Sequence, residues 1–374
     1  MEQGRTIPIA ALKQFAIDGT LVSVEELKRG HINRTYIGVW EEASGRKRYV
    51  HQVLNHRIFE DIDGLMRNLD IVTRTLREQY VAGKLRPDER ILTLIKTRGG
   101  ATHVQDEVGD YWRTFEYLED TTTYDVCPGP AVAREAAAIL GRFQRSLLHL
   151  DPATFTETIP FFVDGERRFH VFSEALTKDA VGRASACRAE IDFALKRTEF
   201  GGSLINAVRS GLLPARVTHN DTKLNNVLFN KQGDRAVCLL DLDTCMGATV
   251  LYDFGDLVRN TAVPCAEDEQ DFSKVVFDME LYRAICQGYL EEMGASLSPV
   301  ERSRMASAPR NLALILGVRF LSDHLQGDAY FRIHRQNHNL ERARTQFQIV
   351  RMMEELEGEM EQVVGRCVSS LKLS

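Results

Sequence analysis

The stretch Thr218-His219-Asn220-Asp221-Thr222-Lys223-Leu224-Asn225-Asn226-Val227-Leu228-Phe229 carries the residue types that chemistry on a hydroxyl group needs. An apolar–polar alternation enters it, polar residues fill it, and a short strand leaves it. Past the turn formers Asn230-Lys231-Gln232-Gly233-Asp234, a second run, 235–240, returns to Asp241-Leu242-Asp243. The midpoint between Asn226 and Asp241 falls beside Gly233. Antiparallel pairing about that turn therefore brings Asn226 and Asp241 together at the base of one hairpin. An amide oxygen beside a carboxylate suits Mg²⁺, which takes a few protein oxygens and completes its shell with phosphate oxygens. Asp221, on the loop just before, is left to receive a proton from a hydroxyl. A surface hairpin with a polar turn is the plain alternative. An Asn five residues after Asp221, followed by a strand ending in D-x-D, weighs against it.

Other segments must hold that loop in place. Tyr252-Asp253-Phe254-Gly255-Asp256-Leu257-Val258-Arg259 opens a helix, and Asp253 and Asp256, three apart, share one face of it. A buried Asp there would hydrogen-bond the loop backbone and fix it, a supporting role for Asp253, Asp256 and the neighbouring His219. Helix N-terminal capping is the competing reading. Pro128 to Leu150 is a helix with Pro130 in its first turn and an apolar stripe through Val132, Ala136, Ile139, Leu140, Phe143 and Leu147. Asp278–Met293, Arg310–Leu325 and one long closing helix, Glu341–Val364, complete a helical C-terminal part.

The N-terminal part reads differently. Residues 21–24, 34–40, 49–54, 91–95 and 111–118 have strand character, and Asp63–Gln79 is an amphipathic helix with Asp61 or Asp63 as N-cap. A mixed sheet with one helix is expected. Gly30-His31-Ile32-Asn33 lies between two of the strands. Backbone N–H groups of a loop containing Gly can approach phosphates; a plain hairpin turn is the alternative.

At 374 residues the chain is long enough for two lobes. Its net charge of −6, with no long basic run, favours neither nucleic acid nor an anionic membrane as partner. No apolar run approaches membrane-spanning length, and Met1–Arg5 lacks an apolar leader, so a cytoplasmic location is expected. The seven cysteines are scattered, without C-x-x-C, and read as reduced thiols and not as a zinc site.

The pattern H-x-D-x-x-x-x-N, at His219, Asp221 and Asn226, followed by Asp241-Leu242-Asp243, resembles the aminoglycoside phosphotransferase and choline kinase superfamily. That resemblance implies an α+β, protein-kinase-like bilobal fold. A small mixed α/β nucleotide-binding lobe would span 1–118, and a large, mainly helical catalytic and substrate-binding lobe 119–374. It implies ATP and Mg²⁺, Asp221 as catalytic base, and Asn226 and Asp241 as metal ligands. Gly30, His31, Asn33 and Gln52 fall in the nucleotide region. Phe115–Asp120 falls at the hinge, where the backbone of Glu116 and Leu118 would meet adenine. The family's strand after the nucleotide loop carries a Lys or Arg for the phosphates. Here that strand reads His51-Gln52-Val53, leaving Arg48, Arg57 or the metal as substitutes.

The finer resemblance is to the N-acetylhexosamine 1-kinases, above all over Arg319-Phe320-Leu321-Ser322-Asp323-His324-Leu325-Gln326-Gly327-Asp328-Ala329-Tyr330-Phe331. Arg319 and Asp323 lie four apart on one helical face, and the hydroxyls of a sugar would satisfy both; a structural ion pair is the alternative. The resemblance implies Arg319, Asp323, Arg168 and Tyr330 as acceptor contacts, with a sugar and a nucleotide as small-molecule partners. One departure stands out. Phe161-Phe162-Val163-Asp164 lacks the His that the branch often carries there, which points to a different acceptor if that segment touches the sugar. Another acceptor of the superfamily (an aminoglycoside, choline, homoserine or another sugar) and a nucleotide-binding pseudokinase are the competing readings.

Overall fold

The computed structural model describes residues 8–27 and 32–373. The chain divides into two compact units, Met1–Asp120 with Thr156–Ile159, and Thr121–Phe155 with Pro160–Ser374. Among the described residues no helix is long and apolar enough to cross a membrane.

The first unit contains α1 (Ile9–Leu12), β1 (Thr20–Leu27), β2 (Arg34–Glu42), β3 (Gly45–Leu54), α2 (Ile62–Val81), β4 (Leu94–Ile95), β5 (Val104–Gln105) and β6 (Tyr111–Glu116). These six strands form a sheet in the order β1-β2-β3-β6-β4, with β5 also on β6. Every pairing is antiparallel, so the sheet is not mixed. Alternation along each strand separates two faces. Tyr36, Trp40, Tyr49, Val53 and Trp112 share one face and pack with Leu12, Phe15 and Ile17 into a core. The 91–95 segment pairs only through Leu94 and Ile95, opposite Phe115 and Thr114, and is shorter than its composition suggests. The strand at 111–118 stops at Glu116, although Tyr117 N still donates to Arg48 O at 3.2 Å. Asp61 caps α2, accepting from Gly64 N at 2.8 Å. Gly30 and His31 lie outside the described residues.

The second unit runs β7 (Thr121–Thr122), α3 (Pro130–Leu147), α4 (Gly165–Lys178), α5 (Arg188–Leu195), α6 (Thr198–Arg209), β8 (Arg216–Thr218), β9 (Val227–Asn230), β10 (Ala236–Leu239), β11 (Met246–Ala248), α7 (Val250–Thr261), α8 (Met279–Met293), α9 (Pro299–Arg304), α10 (Ala308–Leu325), α11 (His338–Glu355) and α12 (Glu357–Ser370). Two small sheets, β10-β9-β7 and β11-β8, lie among these helices. Ser298 and Glu301 form a reciprocal capping box at the start of α9. The closing segment is two helices and not one. Leu356 leaves helical geometry (φ −95°, ψ 3°), ending α11 and starting α12. The two sides of this break are tied to different segments: Glu354 pairs at 2.7 Å with Arg197, the residue before α6, and Glu357 at 2.9 Å with Arg310 of α10.

Candidate active site

β9 and β10 form the hairpin that the sequence describes. Val227 pairs with Leu239, and Leu240 N donates to Asn226 O at 2.8 Å, which puts Asn226 and the residue before Asp241 side by side. The turn is built by Asn230, whose Oδ1 accepts from the backbone N–H of Gly233, Asp234 and Arg235 at 3.0, 3.1 and 3.3 Å. Gly233 takes a left-handed φ of 81° that a side chain would strain. Asp241, at the far end of the hairpin, is itself left-handed at φ 57°.

The loop before the hairpin is fixed from α7. Asp253 is fully buried and accepts from His219 N at 2.9 Å and Asn220 N at 2.6 Å. Asp256 accepts from Thr222 N at 2.9 Å, and Asn260 continues the series by accepting from Leu224 N at 2.9 Å. The carboxylates one turn apart on α7 therefore read successive backbone N–H groups of the loop. Asp253 is itself held by Gln144 of α3, whose Nε2 donates to it at 2.8 Å while its Oε1 accepts from Tyr289 at 2.6 Å. Asp256 is paired with Arg259 at 2.7 Å. Burial pushes the Asp253 carboxyl up, while His219, Gln144 and the two backbone donors pull it down; the net direction is upward.

His219 faces inward. Its Nδ1 accepts from Asp221 N at 3.3 Å, which assigns the proton to Nε2, donating to Leu240 O at 2.8 Å. This one ring thus joins the loop to the strand end carrying Asp241. Asn226 donates through Nδ2 to Asp221 O at 2.9 Å and to Asp221 Oδ2 at 3.1 Å. With the amide nitrogen used in this way, Oδ1 of Asn226 is the atom left for a cation. That donor set, one amide oxygen and the Asp241 carboxylate, fits a hard divalent ion such as Mg²⁺.

Lys223 is a site residue that the sequence reading passed over. Its Nζ lies 3.2 Å from Asp221 Oδ1. Burial raises the Asp221 carboxyl, but Lys223, His219 and the Asn226 amide outweigh it, and the net shift is downward. Asp221 raises Lys223 in turn, against its desolvation. Asp221 is thus an ionised acceptor at neutral pH. A lysine two residues after the aspartate was the available signal.

The residues expected at the acceptor are arranged differently from the expected pair. Asp323 does not meet Arg319. It is buried, and it accepts from Tyr330 N at 2.8 Å, Phe331 N at 2.9 Å and Asn339 Nδ2 at 2.8 Å. Its carboxylate is occupied in holding the chain after α10, which removes it as an acceptor contact. Asp328 of the same turn is tied to Arg183 at 2.6 Å and to Asn339 at 2.9 Å. The chain so held brings Tyr330 and Phe331 to Arg319. The Arg319 guanidinium carbon lies 5.0, 5.9 and 5.4 Å from the ring centroids of Phe162, Tyr330 and Phe331. Arg168 donates to Phe162 O at 3.3 Å and so supports one of these aromatic walls.

In the first unit, Asn33 Oδ1 accepts from Asn55 N at 3.0 Å, joining the start of β2 to the end of β3. Glu116 N is spent on Thr93 O at 2.9 Å within the sheet. Arg48, one substitute for the absent strand Lys, is paired with Glu119 and lies 4.0 Å from the Tyr117 ring centroid. Gln52 is the centre of a cross-strand row. It donates to Thr35 Oγ1 at 3.1 Å and accepts from Arg113 Nε at 3.0 Å and Nη2 at 2.8 Å.

An antiparallel sheet with a helix, a mainly helical second unit, and a loop and hairpin that carry Asp221, Asn226 and Asp241 are the organisation of a phosphotransferase of the protein-kinase-like class. The model of the "Phosphotransferase enzyme family" matches residues 23–298, and the chain belongs to that family. Among solved structures, the chain is similar to an aminoglycoside phosphotransferase from Alicyclobacillus acidocaldarius, with a TM-score of 0.63 and 14% identity over 98% of both chains. It is similar to a microcompartment-associated aminopropanol kinase, with a TM-score of 0.57 and 14% identity over 94% of this chain and 97% of that one. It is also similar to a choline kinase from Cryptosporidium parvum, with a TM-score of 0.53 and 14% identity over 90% of both chains.

Proposed function

We propose that the protein is an ATP- and Mg²⁺-dependent kinase that transfers the γ-phosphoryl group to a sugar hydroxyl, and that the acceptor is the anomeric hydroxyl of an N-acetylhexosamine. Asp221 orients that hydroxyl and takes its proton as the oxygen–phosphorus bond forms and the bond from the γ-phosphorus to the bridging oxygen breaks. Lys223 keeps Asp221 ionised before transfer, and Asp253, Asp256 and His219 keep the loop from moving. Asn226 Oδ1 and Asp241 would hold Mg²⁺, which when bound offsets charge on the phosphate oxygens. Positioning and fixed charge supply most of the acceleration in such a transfer. ATP binding falls to the first unit, with Asn33 and the backbone at Glu116 and Leu118 as its contacts.

The acceptor reading is carried by Arg319. Among the described residues its guanidinium makes no hydrogen bond or ion pair and is surrounded by aromatic rings. Such a group offers aligned N–H donors to hydroxyl and carbonyl oxygens beside flat apolar walls that suit the C–H face of a pyranose. A fixed cation repels choline, aminopropanol and aminoglycosides, and this separates the proposed acceptor from those named for the similar structures. Tyr330, half exposed, is the outer wall.

The test is ATP consumption against a panel of N-acetylhexosamines, other sugars, aminoglycosides and small amino alcohols, with phosphorus NMR of the product. The expected result is turnover with an N-acetylhexosamine and an anomeric phosphate. Turnover confined to amines would overturn the acceptor. Mg²⁺-dependent nucleotide binding with no turnover on any acceptor would overturn the kinase reading in favour of a pseudokinase.

A further inference from the structure

The chain that leaves α7 makes a tight turn at 266–269, where Glu269 N donates to Ala266 O at 3.2 Å. α11 and the residues just before it pin this turn. Asp268 is paired with Arg335 at 2.9 Å and accepts from His338 Nε2 at 2.8 Å, and Glu269 O accepts from Thr345 Oγ1 at 3.0 Å. His338 Nδ1 accepts from His334 N at 3.2 Å, so its proton sits on Nε2 and a neutral ring suffices for the bond to Asp268. Arg335 lies four residues beyond Phe331. The piece of chain that walls Arg319 therefore also anchors the turn.

Glu267, beside the pinned residues, turns to α7. Its Oε1 lies 3.8 Å from Arg259 Nη1, and its charge also helps to hold Lys223 protonated. Both cations have a nearer carboxylate. Lys223 has Asp221 at 3.2 Å, and Arg259 has Asp256 at 2.7 Å. Among the described residues Glu267 makes no hydrogen bond, so its carboxylate is held in place without being used up. It is also open to solvent. Its side chain is 42% exposed, against 32% for Lys223, 22% for Asp221 and 5% for Arg259. The guanidinium behind is buried, while Asp221, Lys223 and Glu267 all reach the water from which an acceptor comes.

We propose that Glu267 binds the acceptor, its carboxylate taking a hydrogen bond from a hydroxyl other than the one that is phosphorylated. The inference rests on the sugar-kinase function proposed above and deepens it. A sugar carries several hydroxyls on one ring, and each of them donates as well as accepts. Arg319 only donates and an ionised Glu267 only accepts, so the two divide that chemistry. The cations beside Glu267 suit it to a neutral hydroxyl and not to an ammonium ion, which Lys223 and Arg259 would repel. Choline has one hydroxyl and no N–H, so it has nothing to offer Glu267 once that hydroxyl is at Asp221.

The experiment measures turnover of Mg-ATP with N-acetylglucosamine and N-acetylgalactosamine, and with the monodeoxy analogues of the better of the two, each lacking one hydroxyl. The full chain is compared with Glu267→Ala and Glu267→Gln. Glu267→Ala is expected to raise the KM of the sugar about tenfold or more, with kcat and the KM of ATP within about twofold of the parent. Glu267→Gln, which keeps an acceptor oxygen, is expected to recover part of that loss. One analogue is expected to be a poor acceptor for the parent and to lose nothing further in Glu267→Ala, because the hydroxyl that Glu267 holds is the one it lacks. A loss equal across all the analogues marks a displaced turn and overturns the proposal, as does an unchanged KM. A fall in kcat with the acid limb of its pH profile moved and the sugar KM unchanged shows that Glu267 acts on the base through Lys223, and overturns it too. A parent protein that turns over neither sugar overturns the function on which the proposal rests, whatever the variants show.

Discussion

The catalytic loop and the wall around Arg319 are built in opposite ways. In the loop, fixed polar groups answer one another at short range. Asp253, Asp256 and Asn260 on α7 take backbone N–H groups from His219, Asn220, Thr222 and Leu224, and His219 passes the order on to Leu240. Around Arg319, the polar group is left open and aromatic side chains surround it. They come from distant segments, Phe162 ahead of α4 and Tyr330 and Phe331 after α10. One carboxylate, Asp323, orders that second region by holding the backbone of 330 and 331. Under the proposed function, the contrast divides the chemistry from the choice of acceptor. The first demands a rigid constellation and tolerates little change. The second is an aromatic surface on which single changes cost less.

Substitutions on the two sides should therefore differ in size and in kind. The largest effect is expected on the loop. Asp253→Ala strips the partner from two buried backbone donors and from Gln144, and should lower stability by about 3 kcal/mol, measured by denaturant unfolding. It should also cut kcat by about a thousandfold, since a loosened base loses its positioning. An intact kcat in a folded Asp253→Ala protein would break the comparison, because the loop would then not depend on α7.

Lys223→Met should act less strongly and reveal itself through pH. Lys223 and its neighbours hold the Asp221 carboxyl below the ordinary carboxylate range. With Asp221 as the proposed base, the ionised form is the active one, and activity in the parent is expected to be lost only as pH falls below that depressed value. Removing the ammonium raises the Asp221 pKa, and the acid limb of the kcat profile should move to higher pH, with kcat at neutral pH falling about tenfold. An unmoved limb would show that the 3.2 Å pair does not set the charge of the base.

Smaller and different effects are expected at the wall. Arg319→Met should raise the KM of the acceptor about tenfold with the KM of ATP unchanged, since it removes binding donors and leaves the transfer machinery in place. Tyr330→Ala, at a residue half exposed, should raise the same KM only about threefold. A fall in kcat as large as that of the loop variant would erase the division between the two regions.

The sequence was most informative where function depends on short spacing. Asp221, Asn226 and Asp241 are joined by one hairpin whose turn chemistry is local, so their proximity follows from Gly233 and strand alternation alone. The helical stripe of α3 and the capping of α2 are local for the same reason. What was not legible depends on register between segments far apart. Nothing around Gln52 indicates that Arg113, sixty-one positions away, will stand across from it. The i, i+4 spacing of Arg319 and Asp323 suggested a shared ligand, but a turn that comes back after α10 claims the carboxylate. The break at Leu356 within a helical pattern, and the helices α4 to α6, likewise reflect tertiary contacts such as Arg197 with Glu354 that local periodicity does not contain.

In the proposed function Asp221 is the base of a phosphoryl transfer. Asp221→Asn keeps the shape of the side chain and removes its charge, and it is measured for Mg-ATP affinity and for single-turnover transfer to the acceptor that the parent uses. ATP affinity is expected within about twofold of the parent, and transfer is expected to slow by at least about a thousandfold. Transfer at a rate comparable to the parent, with ATP bound equally well, would contradict it.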